Sequence, residues 1–311
     1  MRRRSLARNA AEYCLAVAAL KSLEFAPRPA ADALARFYVR LLDKAIPRLR
    51  QVARRNLAMA LPEFTPARHA EIVDGVFRSV ARLLVAFAKF PHIRSKNLDR
   101  WIRLEGGEHF DTALRAGRGV LFATAHLGNW ELSAFAHALL AAPMNIVVRP
   151  LDNPYIDSLV ERRRALAGNS LIGKKDFARA ILKALAANQA VGILIDQNAS
   201  PADGVFVDFF GIKACAGAGF AKFAAHSGAA VIPGFALWSE GERRYVLRFY
   251  PPLAMTGDVA RDTQALQSQL EEVIRAFPDQ WLWIHRRWKT RPEGEEAIGS
   301  GMERGTGFEP V

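Results

Sequence analysis

Beyond about residue 96 the chain alternates short apolar runs with segments of helical periodicity, and no other feature narrows its possible folds as much. The runs are RGVLFATA, NIVVRP, AVGILID, AAVIPGFALW and RRYVLRFYPP, each bounded by Gly, Asn or Pro. Helical stretches begin near Trp130, Tyr155, Phe177, Gly219 and Thr263. This pattern predicts an α/β fold with a central mixed sheet flanked by helices, and active groups on the loops beyond the strand ends.

The preceding chain has a different texture. From Ala31 to about Ile93 apolar residues recur at three- and four-residue spacing, with a break near Pro62 and an end near Pro91. The expected organisation is an N-terminal amphipathic, membrane-associated segment over 1–30, a helical region over 31–95 that forms one domain with a core over 96–290, and a disordered tail over 291–311. The tail is rich in Gly and Glu, with little to bury. Within the first segment the apolar stretch Tyr13 to Leu20 gives way to Lys21 and Glu24, well short of the ~20 apolar residues that cross a bilayer. A helix of this kind lies on a membrane or packs on its own domain.

The net charge is +12, and the first sixty residues hold 13 Lys/Arg against 4 Asp/Glu. That surplus favours an anionic partner such as acidic headgroups, phosphates or an acidic carrier protein. Two cysteines, Cys14 and Cys215, supply neither a disulfide framework nor a thiolate zinc site, and no Cys/His/Asp cluster has metal spacing. Neither a metal nor a cofactor is expected.

Chemistry concentrates in GVLFATAHLGNWELSAFAHALL, Gly119 to Leu140. His126 and Glu131 stand five positions apart, about 140° around a continuous helix, so they meet only if a turn intervenes. The sequence supplies one: VLFATA ends as a strand, Gly128 permits an unusual backbone, and Asn129 is a good N-cap for a helix from Trp130. Glu131 then falls in the first turn, from where it is expected to reach back to the imidazole. A carboxylate on Nδ1 makes Nε2 a base able to deprotonate a hydroxyl. No G-x-S-x-G elbow and no phosphate-binding Gly-rich loop accompanies the pair, which favours direct attack by a substrate hydroxyl over a covalent enzyme intermediate. Asp196 and Gln197 end the run VGILI, where a sheet exposes functional groups.

A histidine and an acid at this spacing in a strand-to-helix loop form the H-x-x-x-x-D/E (here HX4E) signature of glycerolipid-type acyltransferases. Other blocks occur in matching order: RRNLAMALPE, AHLGNWE, VVRPLDNPYID, ERRRALAGN, GILIDQN, VDFFG, GAAVIPGF and WLWIHRRWK. Across roughly residues 30 to 290 the sequence therefore resembles the lipid A biosynthesis lauroyl/myristoyl acyltransferase family of the lysophospholipid acyltransferase-like superfamily. The resemblance implies a glycerol-3-phosphate acyltransferase-like fold and transfer of a long acyl chain from acyl carrier protein to a hydroxyl of a lipid A precursor. His126 would be the general base and Glu131 its orienting partner. Arg149 and Arg164 would contact phosphate or oxyanion, Asp196, Gln197 and Asn129 would bind substrate, and Phe209, Phe210 and Gly211 would line the acyl channel. Where the family carries a threonine after this last block, the chain has Ala216. The implied partners are acyl carrier protein, a glycolipid acceptor and the inner membrane surface, on its cytoplasmic face. The clusters at 162–164 and 174–175 are candidate carrier-docking sites.

Two other readings compete. The same histidine and acid would serve another glycolipid or a lysophospholipid acceptor. A non-catalytic basic protein binding membrane or nucleic acid would use the N-terminal charge, but the sequence lacks a groove-reading motif and its aromatics lie in apolar runs rather than among Lys and Arg, so no specific nucleic acid is expected. His137, His226 and His285 read as core, capping or structural residues, and His69, His92 and His109 show no partner spacing.

Overall fold

A computed structural model describes residues 5–173 and 176–295; residues 296–311 of the expected tail lie outside them. Four helices come first: α1 (Leu6–Phe25), α2 (Arg28–Ala45), α3 (Pro47–Ala60) and α4 (Pro66–Lys89). Ser5 and Thr65 cap α1 and α4 by accepting from the amides of Arg8 and Arg68. Sequence periodicity missed the break between α2 and α3. Ile46 leaves the helical conformation there and Pro47, lacking an N–H, starts the next helix.

The α/β part follows as β1 (Ile102–Glu105), α5 (Gly107–Arg115), β2 (Val120–Thr124), α6 (Trp130–Leu140), β3 (Asn145–Val147), α7 (Pro154–Arg164), β4 (Ser170–Ile172), α8 (Phe177–Ala186), β5 (Ala190–Leu194), β6 (Gly204–Phe209), β7 (Ile212–Gly217), α9 (Gly219–Ser227), β8 (Ala230–Ser239), β9 (Arg244–Phe249) and α10 (Val259–Ala276). Seven strands form one sheet in the order β1-β9-β8-β2-β5-β3-β4, and β6 and β7 make a separate hairpin. All pairings in the large sheet are parallel except β8 with β9. The expected mixed sheet flanked by helices is thus present. Its parallel centre explains the continuous apolar runs, because helices cover both faces.

Helices pack on the sheet through distinct apolar clusters. Phe90, Phe110, Phe122 and Phe135 belong to one that joins α4, α5 and α6 to β2, while Leu185, Phe220 and Leu266 hold α8, α9 and α10 in another. The helical region meets the C-terminal segment through Leu57, Ile72, Trp281 and Trp283. Lys89 donates to the carbonyls of Glu24 and Ala26, and Asn153 to that of Asn9, so α1 packs against the domain. Among the described residues no helix is long and apolar enough to cross a membrane.

Candidate functional site

The central strand β2 lies between β5 and β8, and the loops leaving β2 and β5 at their carboxyl ends carry His126 and Asp196. Parallel pairing of Thr124 with Leu194 places the two loops side by side. Asp196 Oδ1 is 2.9 Å from His126 Nδ1, while Oδ2 accepts from the His126 amide at 2.9 Å and from the Trp281 indole at 2.9 Å. Burial alone would raise the Asp196 pKa, but the charge and hydrogen bond of His126 and the bond from Trp281 outweigh it and hold the carboxyl well below the usual range. An ionised carboxylate only accepts, so the imidazole proton sits on Nδ1 and the lone pair of the neutral ring on Nε2.

The loop after His126 is fixed on several sides. Leu282 donates to the His126 carbonyl, and Gly128 to that of Gln280. Gly128 has φ +64°, and a Cβ there would lie 2.0 Å from the Ala236 carbonyl oxygen, so only glycine fits. Asn129 caps α6 through its side chain, which accepts from Leu132. It is fully buried and absent from the cavity wall, which corrects its expected substrate contact to a structural one.

Glu131 is engaged elsewhere than expected. It forms a bidentate pair with Arg164, with Nε to Oε2 at 2.9 Å and Nη2 to Oε1 at 2.6 Å. The carboxylate on Nδ1 therefore comes from the neighbouring strand instead of the following helix. Arg164, at the end of α7, matches the fork geometry of a carboxylate, whereas both polar edges that His126 turns towards β5 are already taken by Asp196. Burial opposes the charge on Arg164, yet Glu131 raises its pKa above the ordinary value.

These groups border a cavity of about 570 Å³, within the range of small-molecule sites. His126, Glu131, Arg149, Arg164 and Gln197 give it a polar end, and Phe122, Met144, Ile146, Leu194 and Phe249 are among its apolar walls. Gly192 lets the Met144 side chain pack closely on β5 at the cavity wall, since a Cβ there would come within 2.8 Å of Met144 Cε. Arg149 makes no hydrogen bond or ion pair among the described residues.

Phe209, Phe210 and Gly211, expected along the acyl channel, are not among the residues that line this cavity. Phe210 and Gly211 are the two-residue turn of the β6–β7 hairpin, with φ +58° and +71°. Both phenylalanines are buried against Trp281, Trp283 and Trp288. Ala216 is fully buried in β7, outside the cavity wall. Of the carrier-docking cluster, Arg163 is buried on Glu24 and Arg164 holds Glu131, leaving Arg162 exposed; 174–175 lie outside the described residues.

Sequence reasoning missed Trp281 and Arg287. Arg287 is fully buried, donates to the carbonyls of Cys215 and Gln197 and to Gln267, and so fixes the loop after β5. Burial lowers its pKa to about 10 against the opposing charge of Asp196. Both lie in WLWIHRRWK, and the run of tryptophans around charged residues was the available signal.

His137, read from sequence as a core residue, also borders the cavity. Phe110, Phe122 and Phe249 surround its ring. Burial lowers its pKa to about 4, with the Ala142 carbonyl acting weakly in the opposite sense. Between its ordinary value and that one the unfolded chain binds a proton that the folded chain does not. Stability is thus intact above the unfolded pKa and falls as the pH drops towards about 4, by about 3 kcal/mol in all. Denaturant titrations across this range should show that loss in the wild type and a flatter profile in His137→Leu; parallel profiles would contradict it.

The family model described as bacterial lipid A biosynthesis acyltransferase matches residues 2–290. The chain is 30% identical over 247 residues to the lipid A biosynthesis lauroyltransferase of Escherichia coli K12, covering 78% of this chain and 80% of the relative. It is 31% identical over 302 residues to a phosphatidylinositol mannoside acyltransferase of Mycobacterium tuberculosis, covering 92% and 91%. A Haemophilus influenzae lipid A biosynthesis acyltransferase is 25% identical over 246 residues, covering 78% and 77%. With a histidine on a buried carboxylate at the polar end of an apolar cavity, and a family match running almost from end to end, the chain is an acyltransferase that belongs to the bacterial lipid A biosynthesis acyltransferase family.

Proposed function

We propose that the protein moves a long fatty acyl chain from an acyl carrier protein thioester to a hydroxyl of a lipid A precursor, without an acyl-enzyme intermediate. The observation that carries this reading is the His126–Asp196 pair at the polar end of the apolar cavity. His126 Nε2 takes the hydroxyl proton as the oxygen attacks the thioester carbonyl. The C–S bond then breaks, and the imidazolium returns the proton to the leaving thiolate. Asp196 stabilises the imidazolium between these steps. Arg149 and Arg164 supply positive charge where the oxyanion or an acceptor phosphate sits, and Glu131 acts by fixing Arg164. Apolar walls receive the acyl chain.

A second glycolipid acceptor class is favoured by one observation: the phosphatidylinositol mannoside enzyme is as similar to the chain as the lauroyltransferase. For location we propose the cytoplasmic face of the inner membrane. Leu6, Leu15 and Phe25 of α1 and Phe37 and Leu41 of α2 are exposed on the most basic part of the chain, as suits an interfacial helix pair on anionic lipid.

The test uses purified wild type and His126→Ala, acyl carrier protein thioesters of several lengths, and three acceptors: a lipid A precursor, a phosphatidylinositol mannoside and a lysophospholipid. Transfer to the lipid A precursor that falls by about 10³-fold or more in a folded His126→Ala supports the reading. Transfer confined to another acceptor removes the lipid A assignment, and full activity in the variant removes the base.

A further inference from the structure

A second concavity, of about 540 Å³, shares no lining residue with the first. Its walls come from α2, α4 and the β8–β9 hairpin. Five arginines, Arg28, Arg36, Arg78, Arg82 and Arg243, face two carboxylates, Asp32 and Glu240, which leaves a surplus of three positive charges. Glu240 is paired with Arg82. Glu240 also feels the charge of Arg243, while Arg36 and Arg78 make no hydrogen bond or ion pair among the described residues, so cations outnumber anions here.

Two further observations define what would fit. Arg28 and Arg82 each lie 4.6 Å over an indole ring, of Trp101 and Trp238. Cations already cover these aromatic faces, which disfavours a stacked nucleobase and leaves the guanidinium edges for oxygen ligands. The Tyr245 hydroxyl, in a side chain only 2% exposed, borders the concavity; the Asn129 side-chain amide faces it from the protein side, and an amide N–H can only donate, which leaves the hydroxyl's own proton to be given. A buried donor of this kind needs an acceptor. The helix that supplies Arg28 and Arg36 also presents Phe37 and Leu41 to solvent, 54% and 51% exposed, beside the arginine row.

We propose that this concavity binds a phosphate ester carried by an anionic lipid, with the arginines holding its oxygens, the Tyr245 hydroxyl donating to one of them, and the lipid chains lying along Phe37 and Leu41. The site is separate from the cavity that His126 borders, with no lining residue in common, and binding to it can be read without measuring transfer.

Calorimetric titration of the full chain with dihexanoyl phosphatidic acid, dihexanoyl phosphatidylcholine and inorganic phosphate tests it without measuring transfer. Saturable binding of phosphatidic acid is expected, and none of phosphatidylcholine alone. Arg36→Ser/Arg78→Ser should weaken binding on the order of tenfold per arginine. Arg40→Ser/Lys44→Ser removes the same charge from α2 outside the concavity and should leave binding within about twofold. Tyr245→Phe should weaken binding severalfold without lowering Tm. Phosphate competing as strongly as phosphatidic acid would keep the phosphate site and overturn its lipid source. Absence of saturable binding, or equal losses in the two double variants, would overturn the proposal.

Discussion

Asp196→Asn is expected to lower kcat by roughly three to four orders of magnitude with little change in KM or Tm. The asparagine fills the same volume and can still accept from Trp281, so the loop after β5 keeps its position. It offers an amide donor as well as an acceptor, however, and no longer compels His126 to carry its proton on Nδ1. With the other tautomer Nε2 is protonated and cannot act as a base, and the imidazolium loses its counter-charge. Single-turnover transfer measured beside circular dichroism would check this; a folded variant within tenfold of wild type would eliminate Asp196 as the positioning residue. The sign of the Asp196 shift adds a constraint. A depressed carboxyl pKa contributes stability that is fully present above its ordinary value of 3.8 and lost as the pH falls through the folded value. Activity lost above about pH 4 therefore has another origin than this carboxylate.

Glu24→Ala should cost about 3–5 kcal/mol of stability, because it strands a buried guanidinium. Glu24 and Arg163 have side chains only 5% and 7% exposed, and Arg163 also donates to the carbonyls of Phe87 and Ala88. Burial would raise the Glu24 pKa, but Arg163 and Lys21 outweigh it and lower it. The pair ties α1 to the end of α4 and to the last turn of α7, one residue before Arg164. Loosening it should therefore also release Arg164 from Glu131 and reduce kcat/KM. Urea denaturation gives the first effect and steady-state kinetics the second. Glu24→Gln/Arg163→Met, which removes both charges, should recover most of the stability. A loss below about 1 kcal/mol in Glu24→Ala would show that the pair is solvated in practice.

Much of this architecture was legible because it is written in local patterns. The apolar runs gave β2, β5, β8 and β9, Asn129 marked the start of α6, and the position of His126 just beyond a strand was visible from Ala125 and Gly128. The partner of His126 was not. Sequence proximity suggested Glu131, whereas β5 lies against β2 only after a crossover, and the acid that arrives is 70 positions away. Trp281 was missed for the same reason, its bond to Asp196 spanning 85 positions. Phe209, Phe210 and Gly211 misled in another way. Their place in a block shared with the resembled family suggested a channel lining, but a positive φ at two successive residues makes a tight turn, and a sequence block does not report backbone handedness.

Because His126, Asp196 and the Trp281 indole come from three distant parts of the chain, they assemble only when most of the sheet and the closing C-terminal segment are in place. Contacts of such large sequence separation form late and slowly. During refolding, helical circular dichroism should recover before transferase activity, and a species lacking the C-terminal closure should hold an imidazole with no fixed tautomer. A half-folded chain would therefore lack transferase activity until that closure is made.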